Sequence, residues 1–192
     1  MAQPIIAQVT LSQLNTLIAG SATTWNNNYW GTQFYVTDKG WLLHAHKDNI
    51  CKPVDGKLTI MNGDTLPTGI EPDILMVDTG VITISSEIGG AIETPTEITI
   101  PSGYYLGEDC GLKIISSPDV CALYIANNYD EPVFEFNERG DISVGEYIGE
   151  PATYTFFRNS SHVSGNYKIV GNVPAGTTTL KSIIEFHKSP FA

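Results

Sequence analysis

Short apolar segments separated by turn residues recur along most of this chain and constrain its fold more than any other feature. Apolar residues alternate with polar ones at Ile82 and Ile84 and again at Phe134 and Phe136, as in strands that bury one face. The segments predicted as strands beyond residue 72 are 73–77, 80–85, 96–100, 112–116, 121–126, 132–136, 141–144, 153–158, 166–171 and 180–187. This spacing predicts an all-β fold, an antiparallel β-sandwich or jelly roll, and argues against β-α-β units.

A short helix is the exception, and it is predicted over about residues 10–19. Thr10 is followed three residues later by Gln13, which is the pattern of a capping box, and Gly20 is suited to end the helix. The apolar residues on one face of this helix are Leu11, Leu14, Leu17 and Ile18. An isolated helix of this length is marginal in water, so we expect its apolar face to dock on the neighbouring sheet or on a partner subunit.

A small hairpin is predicted after the helix. Residues 21–31 are expected to form a loop, residues 33–37 a strand, and residues 41–46 the returning strand, with a turn at 38–40 that ends in glycine. A further strand is predicted over 58–61, and no second helix is predicted. The hairpin therefore belongs to a small N-terminal region that differs from the rest of the chain.

A boundary is predicted at residues 62–72, which are rich in Asn, Gly, Asp and Pro. It divides the sequence into an N-terminal region, residues 1–65, which contains the helix and the hairpin, and a C-terminal β-sandwich, residues 73–192.

The aromatic residues concentrate before this boundary, since all three tryptophans lie within the first 41 residues. Trp and Tyr are favoured at protein interfaces because each buries a large area at small entropic cost. Together with the helix face they form a predicted partner or oligomer interface: Leu11, Leu14, Leu17, Ile18, Trp25, Tyr29, Trp30 and Trp41. The alternatives are a small core beneath the helix and a sugar-binding surface.

The charge of the chain excludes some partners. The formal net charge is −11, with only 10 Lys and Arg residues, so neither nucleic acid nor an anionic membrane is expected as a partner.

No apolar run approaches the ~20 residues of a membrane span, and residues 1–20 lack the pattern of a secretory signal. We therefore expect synthesis in the cytoplasm, with Cys51, Cys110 and Cys121 reduced and mostly buried; a Cys110–Cys121 disulfide is the alternative.

Residues that could carry chemistry do not form a recognisable set. His44 and His46 would share one face of a strand, as metal-binding pairs do, but no neighbouring residue completes three or four ligands, so both are predicted as solvent-facing polar residues. The sequence contains no Gly-x-Ser-x-Gly, His-Glu-x-x-His or phosphate-binding loop, and no two carboxylates stand out as a glycosidase pair. The sequence predicts no catalytic residues, no metal and no cofactor, and hence no enzyme.

Residues 9–38 resemble the N-terminal segment of fibre proteins from tailed bacteriophages, including head fibres. The helix residues Thr10, Leu14, Leu17 and Ile18 carry one half of this resemblance. The strand and turn that follow carry the other half, through Gly31, Tyr35, Val36, Thr37, Asp38 and Gly40. The resemblance covers about a fifth of the chain, and its helical half is generic.

The resemblance implies a structural protein of the virion, made in the cytoplasm of the bacterial host. Such proteins are often homotrimers whose N-terminal part binds a capsid or tail protein and whose C-terminal β-sandwich faces outwards, in some cases towards host-surface glycans. The long repetitive shaft of many tail fibres is missing, which favours a head fibre or capsid decoration protein. A short tail fibre or receptor-binding protein, a free-standing carbohydrate-binding module and a polysaccharide depolymerase are the alternatives.

Overall fold

A computed structural model describes residues 6–93, 97–99, 102–119, 122–126, 134–135, 153–155, 157–158 and 168–190. Strands dominate these residues, and only two short helices accompany them, so the predicted all-β class is confirmed. The elements are β1 (Ile6–Val9), α1 (Leu11–Ile18), α2 (Ala22–Asn28), β2 (Gln33–Val36), β3 (Trp41–Ala45), β4 (Cys51–Pro53), β5 (Lys57–Met61), β6 (Ile74–Ser86), β7 (Gly90–Glu93), β8 (Tyr104–Ser116), β9 (Ala122–Ala126), β10 (Phe134–Glu135), β11 (Thr153–Thr155), β12 (Phe157–Arg158), β13 (Lys168–Val173) and β14 (Gly176–Lys188).

The chain forms two compact units, and each contains two segments of the sequence. The N-terminal unit comprises Met1–Leu58 and Thr65–Leu75, and the C-terminal unit comprises Thr59–Asp64 and Met76–Ala192. Strands β5 and β6 each begin in the first unit and end in the second. The predicted division into a virion-anchoring region, residues 1–65, and a sandwich, residues 73–192, stays a prediction.

A four-stranded mixed sheet, in the order β1-β2-β3-β4, organises the N-terminal unit. The predicted hairpin is confirmed, because β2 and β3 pair antiparallel and Gly40 in their turn has a φ of 70°. Strand β1 was not predicted; it pairs parallel to β2, and both helices lie between these two strands along the chain. The parallel β1–β2 pair was not predicted; the spacing that argues against β-α-β units is that of the strands beyond residue 72.

The prediction of a loop over residues 21–31 is wrong, because α2 occupies Ala22–Asn28. The prediction that the chain has no second helix is wrong for the same reason. The segment is rich in Thr and Asn, which are weak helix formers. Ser21 nevertheless caps the helix by accepting a hydrogen bond from the Thr24 amide at 3.2 Å, and Trp25 is buried. Packing of one large side chain stabilises a helix that local propensity disfavours.

The core of the N-terminal unit follows the alternation of its strands. Along β2, β3 and β4 every second residue is buried: Phe34, Val36, Trp41, Leu43, Ala45, Cys51 and Pro53. The aromatic rings of Trp25 and Phe34 lie 6.1 Å apart between their centroids, so this face of the sheet receives the Trp25 side chain of α2. From α1, Leu14 and Ile18 are buried as well.

The C-terminal unit contains most of the remaining strands. One sheet has the order β11-β8-β14-β6-β5, a second has the order β7-β13-β9, and β10 pairs with β12. The predicted strands 121–126, 166–171 and 180–187 correspond to β9, β13 and β14, whereas β7 was not predicted. The predicted strand at 141–144 lies outside the described residues.

Several predicted strand boundaries in this unit are wrong. The strands predicted over 73–77 and 80–85 are one strand, β6. The predicted break at residues 78–79 precedes Gly80, but Asp78 lies 2.7 Å from the Lys181 ammonium and accepts a hydrogen bond from the Gly80 amide, which keeps the irregular backbone in the sheet. Thr79 also bonds both backbone groups of Ser182.

Other observed strand boundaries differ from the predicted ones because pairing with neighbouring strands determines where each strand begins and ends. The prediction over 153–158 is two strands, since β11 pairs with β8 and β12 pairs with β10. The predicted strand 112–116 is the end of the longer β8. Of the prediction over 96–100, residues 97–99 are described and contain an isolated bridge at Ile98. Of the prediction over 132–136, the described residues 134–135 form β10.

Candidate functional site

Asp38, in the turn of the hairpin, holds the beginning of α1. Its carboxylate Oδ1 accepts a hydrogen bond from the Leu11 amide at 2.8 Å. Helix α1 has no acidic residue in its own first turn, so Asp38 supplies from another segment the negative charge that favours a helix N-terminus. The predicted capping box is confirmed beside it: the Thr10 hydroxyl accepts from the Gln13 amide, and the Gln13 side chain accepts from the Thr10 amide.

Thr37 completes this junction between helix and hairpin. Its backbone amide donates to the Val9 carbonyl at 2.9 Å, and its hydroxyl donates to the same oxygen at 3.3 Å. Gly31, at the start of the other half of the resemblance, has a φ of 86° and donates its amide to the Ala45 carbonyl. The backbone groups of Val9 and Leu11, on either side of Thr10 in the helical half of the resemblance, are therefore bonded directly to Thr37 and Asp38 of the other half.

The end of α1 is held by a residue that the sequence reasoning missed. The Asn49 side-chain amide donates to the Ile18 carbonyl and, at 2.9 Å, to the Gly20 carbonyl. Asp48 and Asn49 have φ values of 60° and 64°, a left-handed conformation that Asp and Asn tolerate better than most residues. The adjacent Asp48 and Asn49 were the sequence signal that could have predicted this turn. Helix α1 ends just before Gly20, with Ala19 as its C-cap in a right-handed conformation, and Gly20 itself has no positive φ.

The residues predicted as an interface do not form one surface. Leu14, Ile18, Trp25 and Trp41 are buried in the chain itself, as the alternative of a core beneath the helix expected. Leu11, Leu17 and Tyr29 are half-buried. Trp30 is the exception, because 61% of it is exposed. In this fold the four buried side chains, Leu14, Ile18, Trp25 and Trp41, are not accessible to a partner protein.

The uncovered side of the four-stranded sheet offers more surface. Residues that pair across the strands share a face, and two such rows point away from the buried side. One row is Gln8, Tyr35, Leu42 and Val54, and the other is Ile6, Gln33, His44 and Lys52. We call these eight residues the open face. Its apolar members are exposed to 39–55%: Ile6, Tyr35, Leu42 and Val54.

The open face carries little charge, and so does its unit. None of its eight residues is acidic, and its one cation, Lys52, lies 3.2 Å from the Asp73 carboxylate. The N-terminal unit has four Lys and Arg residues against five Asp and Glu residues, whereas the C-terminal unit has six against sixteen. The acidity of the chain is thus almost entirely a property of the C-terminal unit.

Two kinds of reactive site, a metal centre and a reactive thiol, can be assessed among the residues that the structure describes. No group of three or more His, Cys, Asp and Glu side chains there is placed to hold a metal ion. Burial raises the pKa of the Cys51 thiol to about 12, so this cysteine stays protonated and unreactive at neutral pH. Cys51 is free and buried as predicted, while the predicted state of Cys110 and Cys121 concerns side chains outside the described set. No helix among the described residues is long and apolar enough to cross a membrane.

Removing the Asp38 carboxylate should loosen α1. We expect Asp38→Ala to destabilise the N-terminal unit by about 1 kcal/mol, as the loss of a helix-capping acceptor typically does. Asp38→Asn is the matched control, because it keeps an acceptor oxygen and should lose less. Hydrogen exchange at the Leu11 amide, which loses its acceptor, measures the effect. Equal exchange in all three proteins would contradict a capping role.

The chain was compared with protein-family models, with curated proteins and with solved structures, and no match was found in any of the three.

Proposed function

We propose that this protein is a non-enzymatic structural component of a bacteriophage virion, a head fibre or capsid decoration protein. The observation that carries the proposal is the junction at Asp38. The resemblance to phage fibre proteins rests on a helix and a strand with its turn, and Leu11, Val9, Thr37 and Asp38 join these parts by hydrogen bonds. A pattern that describes one connected structural feature is a stronger resemblance than two unrelated short matches.

In this proposal the N-terminal unit anchors the protein to the particle through the open face. Exposed Tyr35 and Leu42 lie side by side at its centre and offer the aromatic and aliphatic area that interfaces favour. The absence of carboxylates on this face avoids burying an unpaired charge. The partner is a capsid or tail protein of the virion, so this face replaces the buried tryptophans as the predicted contact.

The C-terminal unit is the displayed part of the proposed protein. Its strands would complete a β-sandwich or jelly roll in a homotrimer, with host-surface glycans as the candidate ligand. Its sixteen acidic residues against six basic ones favour solubility and oppose close packing between neighbouring copies on a particle. A short tail fibre or receptor-binding protein would use the same arrangement at another place on the virion, and a free-standing carbohydrate-binding module would need no particle.

Purified virions of the phage that encodes the chain provide the test. Antibodies against the C-terminal unit should label the capsid in electron micrographs, and light scattering of the isolated protein should give three times the chain mass. Labelling of the tail would select the short tail fibre. Absence from the particles, together with a stable monomer, would reject the virion proposal and leave the free-standing module.

The open face can be tested in the same particles. Leu42→Glu places a charge at its centre and should reduce the amount of protein on the virion by more than ~10-fold, because burying an unpaired charge costs several kcal/mol. Val81→Glu is the matched control, since it makes the same kind of change at an exposed position of the C-terminal unit. Equal incorporation of both variants, with unchanged circular dichroism, would exclude the open face as the anchor.

A further inference from the structure

Two histidine rings lie together at the end of β3. His44 belongs to the open face, and His46 follows two residues later, so the strand projects both side chains to the same side. Their ring centroids are 5.2 Å apart and the rings are tilted by 55°. His46 is exposed and His44 is half-buried, so solvent reaches the pair.

Neither imidazole is used by the fold. Among the described residues, the side chains of His44 and His46 make no hydrogen bond and no ion pair. The other described histidine differs, because His187 Nε2 lies 2.5 Å from the buried Glu185 carboxylate. The nitrogen atoms of His44 and His46 therefore remain available to a ligand from solution.

The backbone beneath the pair is held firmly. The His46 amide donates to the Ile50 carbonyl at 2.7 Å, and the His46 carbonyl accepts from the indole Nε1 of buried Trp25 at 2.6 Å. His44 is paired on both sides, with Gln33 and with Lys52. Binding a ligand between the rings would require side-chain rotation but little ordering of the chain, which lowers the entropic cost of binding.

We propose that His44 and His46 form a two-imidazole site for a borderline divalent metal ion such as Zn²⁺, Ni²⁺ or Cu²⁺. Imidazole suits these ions, whereas Mg²⁺ and Ca²⁺ prefer oxygen ligands. Water completes the coordination, which makes the site weaker than a structural zinc site with four protein ligands. Lys52 beside His44 is engaged with Asp73, so its charge is partly offset. This inference does not rest on the proposed virion role.

Calorimetric titration of the tag-free full chain with Zn²⁺ and with Cu²⁺ tests the site. We expect one ion per chain, tighter binding of Cu²⁺ than of Zn²⁺, and no binding of Mg²⁺. His44→Asn and His46→Asn should each weaken Zn²⁺ binding by at least about 10-fold, since the loss of even an outer-shell partner of a metal ligand typically costs this much.

His162→Asn is the matched control, because it removes one of the other histidines of the sequence and should leave the affinity unchanged. Thermal unfolding without metal checks that each variant folds. Zn²⁺ affinity unchanged in both His44→Asn and His46→Asn would overturn the proposal, as would an equal loss in His162→Asn. Failure of the wild-type chain to bind Zn²⁺ or Cu²⁺ at millimolar concentration would also overturn it.

Discussion

Trp25→Ala is expected to destabilise the N-terminal unit by about 3–5 kcal/mol, the usual range for removing a large buried aromatic side chain. Trp25 is 1% exposed, and its ring lies 5.6 Å from Tyr29 and 6.1 Å from Phe34 between centroids. The substitution leaves a cavity between α2 and the sheet. It also leaves the His46 carbonyl without its indole donor. Such a loss is a large part of the 5–15 kcal/mol that stabilises a typical domain.

Trp30→Ala is the matched control for this change. Trp30 is 61% exposed, so its removal should alter stability by no more than ~0.5 kcal/mol, as surface substitutions usually do. Urea unfolding followed by far-ultraviolet circular dichroism measures both variants without relying on tryptophan fluorescence. If Trp30→Ala lost as much stability as Trp25→Ala, the assignment of Trp25 to the core and of Trp30 to the surface would be wrong.

The two helices show which parts of the fold local sequence can predict. Helix α1 was predicted because its capping box and apolar spacing lie within one short segment, and the observed bounds are Leu11–Ile18. Helix α2 was missed because its stability depends on Trp25 packing against a strand nine residues further along the chain. The residue pattern within 22–28 gives no sign of that contact.

The strands show the same division. The β2–β3 hairpin was predicted because its register follows from a short turn. Residues 78–79 were predicted as a break because the ion pair and hydrogen bonds that keep them in β6 come from Lys181 and Ser182, about a hundred residues away. Pairing over such distances leaves no local pattern.

The candidate site was predicted only in part. The motif residues Thr37 and Asp38 were identified, but their bonds to Val9 and Leu11 were not, because composition does not reveal which groups meet. The aromatic residues were identified as a set, and only the structure separates buried Trp25 from exposed Trp30. The open face emerges from the register of four strands, two of which the sequence did not predict.

At residues 62–72 the structure differs most clearly from what the sequence pattern predicts. Their Gly and Pro content is typical of a linker, yet the segment beyond Pro67 packs within the N-terminal unit. The Cys51 amide donates to the Gly69 carbonyl at 2.7 Å, and Cys51 and Ile70 form a parallel bridge. A linker and a packed segment respond differently to the same substitution at Gly69.

Gly69→Ala is expected to destabilise the N-terminal unit by about 2–5 kcal/mol, from left-handed strain and overpacking together. Gly69 has a φ of 81°, and an added Cβ would lie 2.5 Å from Ile18 Cγ2 and 2.7 Å from the Asn49 carbonyl oxygen. The backbone oxygen cannot turn away, so either α1 or the loop that caps its end must shift.

Gly40→Ala separates the two contributions. Gly40 also has a positive φ, of 70°, but an added Cβ there would meet nothing within 4 Å, so only strain of about 1–2 kcal/mol is expected. Thermal and urea unfolding of the two variants, compared with wild type, gives the difference. A larger loss for Gly69→Ala means that residues 67–71 are structural parts of the N-terminal unit, so a fragment ending at residue 65 would lack them. Equal losses would mean that the segment yields to the added methyl group, as a linker does.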